Sequence, residues 1–588
     1  MAEDVSSYFM SLYNNGQYGA MAPHVIELAR EGVVFNNAYS NAPVSSAARS
    51  TLITGCYAPR LGVQLHREIE TVPMPEGLHM FPYYLRQAGY HTSNAAKTDY
   101  NCLLDREAWD IVSGKIGAWR ERSDKSMPFF HVRTNAMTHE SSLHFPEERI
   151  YKKQPETPPS TVKLLPMHPD TELFRYTYAT FYNCIRKSDS ELGRLIDMLR
   201  EDGELDNTFI FYFGDNGGSL PGSKGYTTET GTHIPLIVYI PKKWRNKIPL
   251  PIGSRVNGIV SFMDFGPTLL HLAGIDLPKQ MDGKPFLGED ITMKQLDEKD
   301  EVYCYGDRFD ELYAFNRTVR KGNFKYSRNF LPYHPKSLYA AYRYKQAAFR
   351  EWKQMYEAGE LDAKQSRFFQ PQGAEELYDL SADPYETHNL AGKASYQEKL
   401  LEMRKLLIEN MIKQCDLGVY PECAWLSNGQ NNPTTFGKAH RKAIQRYLDI
   451  ANLELGNPRK PANRKMISQA LQSEDPVERY WGATVCASWG KEAAFAQKVL
   501  EQLADNQEAY VASRAVIALS IIEGKALSGQ MIPLLEHSAG QAEMLQVLND
   551  MAFLKETFPD VRFPLSTTVL EDKTLSQEVK WRLKYLED

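Results

Sequence analysis

"LIDMLREDGELDNTFIFYFGDNGG", residues 195–218, decides the fold. It holds the tail of a long amphipathic helix read over 173 to 203, a glycine break, the apolar run Phe209 to Phe213, and an acidic, glycine-rich end. The same order recurs upstream. "APHVIELAREGVV" (22–34) spaces Val25, Leu28, Ala29 and Val33 as one helical face, and "FNNAYS" follows as an extended piece. "MFPYYLRQAGYHTSNAAK" (80–97) gives a helix ending at Gly89 and a strand leading to Lys97, and "FFHVRTN" starts another buried strand at Phe129. Helices alternating with short apolar strands predict an α/β fold with a mainly parallel sheet sandwiched by helices. In such a sheet, functional groups gather where strands end and loops begin.

A chain of 588 residues exceeds one ordinary core. The spacing predicts an α/β unit over 1–300. An α+β subdomain over 301–434 starts in the aromatic and basic "FDELYAFNRTVRKGNFKYSRNF", includes a polar helix near 338 to 358, and closes near "EELYDLSADPYETHNL". From 435 to 588 the chain reads as all helix. There "LQSEDPVERYWGATVCASWG" (471–490) is loosely echoed by "LADNQEAYVASRAVIALSII" (503–522), a pattern expected of HEAT-like helix pairs.

A formal charge of -6 with 24% charged residues gives no general electrostatic reason to bind nucleic acid. No apolar run approaches the roughly 18 residues of a membrane span. The strongest, Phe209 to Phe213 and Ile234 to Ile240, read as strands. Seven scattered cysteines make no disulfide framework, with Cys415 and Cys423 the pair close enough in sequence to consider. "MAEDVSSYFM" shows no signal peptide.

Four oxygen-bearing side chains stand out by position: Glu3 and Asp4 at the start, and Asp215 and Asn216 directly after a strand. Converging at strand ends, they would suit calcium or magnesium; alone, "GDNGG" reads as a turn. Ser45, Arg49, Lys97, His139 and Lys224 complete the candidate set.

At this point a resemblance becomes specific. "SSAARSTLITG" (45–55) resembles the sulfatase signature of Cys or Ser, any residue, Pro or Ala, any residue, Arg, then a short apolar stretch and Thr-Gly. "APHVIELAREGVVFNNAY", "FYFGDNGGSLPGSKG", "SFMDFGPTLLHLAGIDLP" and "EELYDLSADPYETHNLAG" resemble further blocks of that family in its order, over about the first 420 residues. The resemblance implies a type I sulfatase of the alkaline phosphatase superfamily, calcium-dependent, acting on sulfate esters or sulfamates of a sulfated carbohydrate such as a glycosaminoglycan.

It implies that Ser45 becomes a formylglycine, made by a maturation enzyme. A hydrated aldehyde carries two hydroxyls on one carbon, so sulfate can be expelled by breaking a carbon–oxygen bond. Arg49 would hold that group, Lys97 and Lys224 would grip sulfate oxygens, and His139 would protonate the leaving oxygen. Glu3, Asp4, Asp215 and Asn216 would hold calcium. His66, Arg67, His233, Asp307, Arg308 and Asp310 are candidate substrate contacts, in segments like those of a bacterial branch often likened to heparan N-sulfatases. There are three departures from the family: Glu3 stands for a usual Asp, Asp99 for a usual His, and the pair Ala47 and Ala48 for Pro-Ser. The rival readings are a phosphatase or phosphodiesterase of the same superfamily, and a silent glycan-binding protein with unmodified Ser45. Only Met1 and Ala2 precede the acidic pair, so the chain is expected to start inside a strand, with export to the periplasm or outside the cell if residues are missing upstream.

Overall fold

The computed structural model describes residues 1–95 and 97–587. Eleven strands among these form β1 (Gly32–Tyr39), β2 (His91–Ala95), β3 (Ile111–Ser113), β4 (Phe129–Arg133), β5 (Ile210–Phe213), β6 (His233–Tyr239), β7 (Arg255–Ser261), β8 (Glu301–Gly306), β9 (Asn316–Lys321), β10 (Phe324–Asn329) and β11 (Glu375–Asp379). In one sheet β2 lies between β3 and β4, all parallel; in another the order is β5-β6-β1-β7. There β1 runs parallel to β7, while β6 is antiparallel to both β1 and β5.

The amino terminus joins the two sheets. Ala2 bridges Asn135 beyond β4 and Gly214 beyond β5, parallel to both. The Ala2 amide donates to Phe213 O (2.9 Å), and the Glu3 amide to Asn135 O (3.0 Å). Asp215 N donates back to Ala2 O at 3.1 Å. Behind this junction an apolar cavity of about 500 Å³ separates β4 from β5, walled by Phe130, Val132, Phe211 and Phe213. The carboxyl ends of β4 and β5 therefore flank Glu3 and Asp4.

Helices cover the sheet. The first, Pro23–Arg30, stops before Gly32, so Val33 belongs to β1 rather than to the helical face its spacing suggested. The long helix Glu172–Glu201 buries Leu173, Phe174, Phe181 and Ile185, and its buried Asp189 caps the first helix by accepting from His24 N (3.2 Å) and Val25 N (2.8 Å). Ser45–Thr54 is buried along its whole length and ends at Gly55, whose φ of 65° supplies the left-handed turn.

A third, antiparallel sheet has the order β11-β10-β9-β8. The Tyr305 amide of β8 donates to Asn41 O (2.8 Å) and its hydroxyl to Ala47 O (3.1 Å), bracing the Ser45 helix from behind. The polar helix expected near 338 to 358 is confined to Ala347–Glu357, because Gln346 turns extended and sends its amide inward to Glu140 Oε1 (3.2 Å) and Ser219 O (2.9 Å).

Beyond Glu422 the described residues are helical or irregular. Pro476–Trp489, Ala509–Glu523, Gln541–Thr557 and Gln577–Glu587 each pack on the next, as stacked helix pairs do. This stack docks on the segment 311–345: Asn549 Nδ2 donates to Glu311 O (2.7 Å), and Arg582 reaches Tyr339 O and Asn549 Oδ1. The seven cysteines are free thiols; Cys415 ends its helix with φ 54° and its sulfur accepts from Arg441 Nε at 3.3 Å, unpaired with Cys423. Among the described residues no helix is long and apolar enough to cross a membrane.

Candidate active site

Loops after four strands and the start of one helix converge on Ser45. It lies in the first turn of its helix, and its N-cap Val44 offers no side-chain acceptor, so the first amides face the site unpaired by a cap. The two adjacent serines differ in what holds them. Ser46 Oγ meets His66 Nδ1 at 2.9 Å and accepts from Arg67 N at 3.1 Å, an anchor for the 66–67 loop. Ser45 Oγ instead faces Asn216, whose Nδ2 lies 3.3 Å away.

Asn216 Nδ2 also lies 2.9 Å from Asp4 Oδ1 and 2.9 Å from Asp215 Oδ1, while its own Oδ1 is buried with no partner. Turning the amide over would set that oxygen beside the two carboxylate oxygens, a cluster of acceptors that a cation would satisfy. Among the described residues no three His, Cys, Asp or Glu side chains are placed to hold a metal. Two carboxylates and an amide oxygen nevertheless fit a hard cation such as calcium. Glu3 is turned elsewhere: its Oε1 is 3.2 Å from Arg49 Nη2 and 2.8 Å from Lys97 Nζ.

Arg49 organises these groups from the helix. Its Nε donates to Asp215 Oδ2 (3.0 Å) and its Nη1 to Thr134 Oγ1 (3.2 Å), with the side chain 1% exposed. Lys224 Nζ is 2.7 Å from Asp4 Oδ2 and 3.9 Å from Glu140 Oε2. Burial alone would push the Asp4 carboxyl up, but Lys224 and His139 hold it well below the usual range. Burial likewise opposes the charge on Lys224, and Asp4 and Glu140 overcome it, so the ammonium persists. Lys97 Nζ is also 3.0 Å from Asp99 Oδ2, and Arg67 Nε lies 3.6 Å from Asp99 Oδ1. Asp99 therefore joins the basic groups of the site by ion pairing. Burial opposes its ionisation, yet Lys97, His66 and Arg67 keep it ionised.

His139 follows β4 and is half-buried. Burial lowers its proton affinity, and Asp4 pulls the other way. Its Nδ1 accepts from Ser141 N at 3.3 Å, which assigns the proton of the neutral ring to Nε2. Strained backbone marks the same rim: Asp4, Arg67, Asp99 and Asp310 all have φ between 48° and 53°.

The structure does not bring the other candidates to the site as contacts. His233 is buried against Tyr39, its Nε2 2.8 Å from Asn36 O and Nδ1 3.4 Å from Glu229 Oε2. Asp307 pairs with Arg317 (3.0 Å) in the antiparallel sheet. Arg308 is sealed against Glu422 (2.9 Å) and donates to His66 O, Arg67 O and Asp310 O, so it positions the rim. His66 and Asp310 are buried beneath Arg67, which is exposed. Sequence reasoning missed Glu140, whose amide donates to Asp4 Oδ2 (2.7 Å); its place directly after His139 was the available signal.

A family model described as Sulfatase matches residues 1–103 and 115–275. An ulvan-active sulfatase of Formosa agariphila is 32% identical over 450 residues, 69% of this chain and 73% of that protein. The human N-sulphoglucosamine sulphohydrolase is 24% identical over 68% of this chain and 86% of its own. Among solved structures, a putative sulfatase from Bacteroides fragilis shares the fold with a TM-score of 0.52 at 19% identity, covering 71% of this chain and 95% of that one. The chain belongs to the sulfatase family, sulfuric ester hydrolases with the alkaline phosphatase-like fold.

Proposed function

We propose that the chain hydrolyses sulfate esters or sulfamates on sugars of a sulfated polysaccharide, through a formylglycine made from Ser45 by a maturation enzyme and with calcium held by Asp4, Asp215 and Asn216. One observation carries the reading: the Ser45 hydroxyl opens on the buried Asp4, Asp215 and Asn216 group, while the Ser46 hydroxyl is engaged by His66 and Arg67. The named activities of the ulvan-active and N-sulphoglucosamine relatives support a sulfated sugar as substrate.

Ser45 Oγ stands where one hydroxyl of the hydrated aldehyde would sit. That group supplies two hydroxyls on one carbon, so no water has to attack the hindered sulfur. Calcium, when bound by Asp4, Asp215 and Asn216, would supply positive charge to offset that of the sulfate. The chain's own residues do the rest. Lys224 and Lys97 neutralise the anion, and Arg49 fixes Glu3 and Asp215 so that their carboxylates do not drift into the sulfate pocket. An arriving sulfate raises the proton affinity of His139, offsetting its burial, and Nε2 then delivers a proton to the leaving oxygen. Ser45→Ala should abolish turnover of 4-methylumbelliferyl sulfate while leaving the melting temperature nearly unchanged. Comparable turnover in the variant would overturn the assignment.

A further inference from the structure

Three side chains beside His139 take no part in the chemistry above. Tyr342 lies with its ring centroid 6.3 Å from that of His139 and 4.7 Å from that of His144, edge-on to both. On its far side the Trp581 ring is 6.3 Å away, tilted by 35°. Lys345 Nζ sits 5.0 Å from the Tyr342 centroid and 5.7 Å from that of Trp581. Tyr342 and Trp581 are half-exposed and Lys345 is exposed, so two aromatic rings and an ammonium reach solvent together beside His139. Burial pushes the Tyr342 phenol up, and Glu140 and Asp4 push the same way against Lys224.

The ledge is rigid. Trp581 belongs to Gln577–Glu587, the last helix of the stack. That helix is pinned by buried Arg582, whose Nη2 donates to Asn549 Oδ1 at 3.0 Å, and by Tyr585, stacked on Tyr339 at 4.2 Å and 8°. Arg67, exposed, lies on the same rim with its Nε 3.6 Å from Asp99 Oδ1.

From this geometry, and resting on the reading of the function given above, we propose that Tyr342, Trp581 and Lys345 form an additional saccharide subsite on the leaving-group side. It takes a sulfated sugar next to the one being desulfated, stacking its apolar face on the rings and pairing its sulfate with Lys345. The direction follows from His139: the group that protonates the leaving oxygen faces the sugar, so a neighbouring sugar extends along the surface that continues from His139. The carboxyl-terminal helices thereby help set the substrate length.

The test compares wild type, Trp581→Ala and Trp581→Phe on 4-methylumbelliferyl sulfate and on mono-, di- and tetrasaccharides from ulvan and from heparin. In wild type, KM should fall as the saccharide lengthens. Trp581→Ala should remove that gain, about tenfold in kcat/KM and carried by KM, the size of one well-placed aromatic contact. Trp581→Phe should retain most of it, and all three proteins should turn over the aryl sulfate equally. A wild-type KM independent of length, or an equal loss on the aryl sulfate in a folded Trp581→Ala, would overturn the subsite. Cleavage of the aryl sulfate with no saccharide turned over would overturn the saccharide reading of the function and the subsite with it.

Discussion

Asp310→Asn should stabilise the protein, and by an amount that grows with pH. Asp310 is buried beside His66, its Oδ1 3.5 Å from Nε2 and without a hydrogen bond. Its φ of 48° is one that Asn adopts as readily as Asp. Burial, followed by Glu311, pushes its carboxyl up to about 7, with Arg67 and Lys224 only partly compensating. In the unfolded chain it titrates near ~3.9. Between those values the folded state holds a proton that the unfolded state has released, so stability falls as pH rises through this window. From pH 4.5 to pH 8 the loss is roughly 3 kcal/mol, which Asn, having nothing to ionise, escapes. An unfolding entropy of ~2.1 cal/mol/K per residue makes that about 2 to 3 °C for a chain of this length. Melting curves of both proteins at matched scan rates, at pH 4.5 and pH 8, should show the gap open in favour of the variant. Parallel curves, or a variant that loses ground as pH rises, would refute the argument and make Asp310 an ion-pair partner of Arg67.

His139→Ala should slow turnover of a sulfated sugar by about 100-fold or more and of an aryl sulfate far less, since a phenolate leaves without a proton; equal losses would remove His139 from that role. Chelation should lower both turnover and melting temperature, and calcium should restore both, with about 2.7 kcal/mol of stabilisation at a hundredfold excess over Kd. A rate indifferent to calcium would contradict the ligand set. Five alternating apolar residues placed ahead of Met1 should enter the cavity between β4 and β5, bond to both edges and raise the melting temperature by a few degrees; an unchanged value would show that the cavity does not take a strand.

The alternation of helix and strand was legible because each amphipathic helix ends at a glycine and is followed by an apolar run. The direction of β6 was not: "HIPLIVY" is buried on both faces, and a run without alternation carries no orientation. The core of the site was legible because strand-end residues such as Asp215 and His139 are close in sequence to the strands that aim them. Asp307 and Arg308 misled because their partners, Arg317 and Glu422, come from the antiparallel sheet and from the helices that follow it. Trp581 was invisible for a related reason. Its place beside Tyr342 is set by the docking of a helix more than 200 residues further along the chain.

The central claim is that Ser45 is matured into the nucleophile, and the most direct measurement is the mass of the Ser45 peptide from enzyme whose specific activity is known. Oxidation of a serine to formylglycine removes two hydrogens, about 2 Da, and leaves an aldehyde that hydrazine reagents capture. The account predicts that activity toward 4-methylumbelliferyl sulfate rises in proportion to the fraction of peptide carrying that loss and vanishes when Ser45 is intact. Full activity in protein whose Ser45 peptide has the unmodified mass would contradict it.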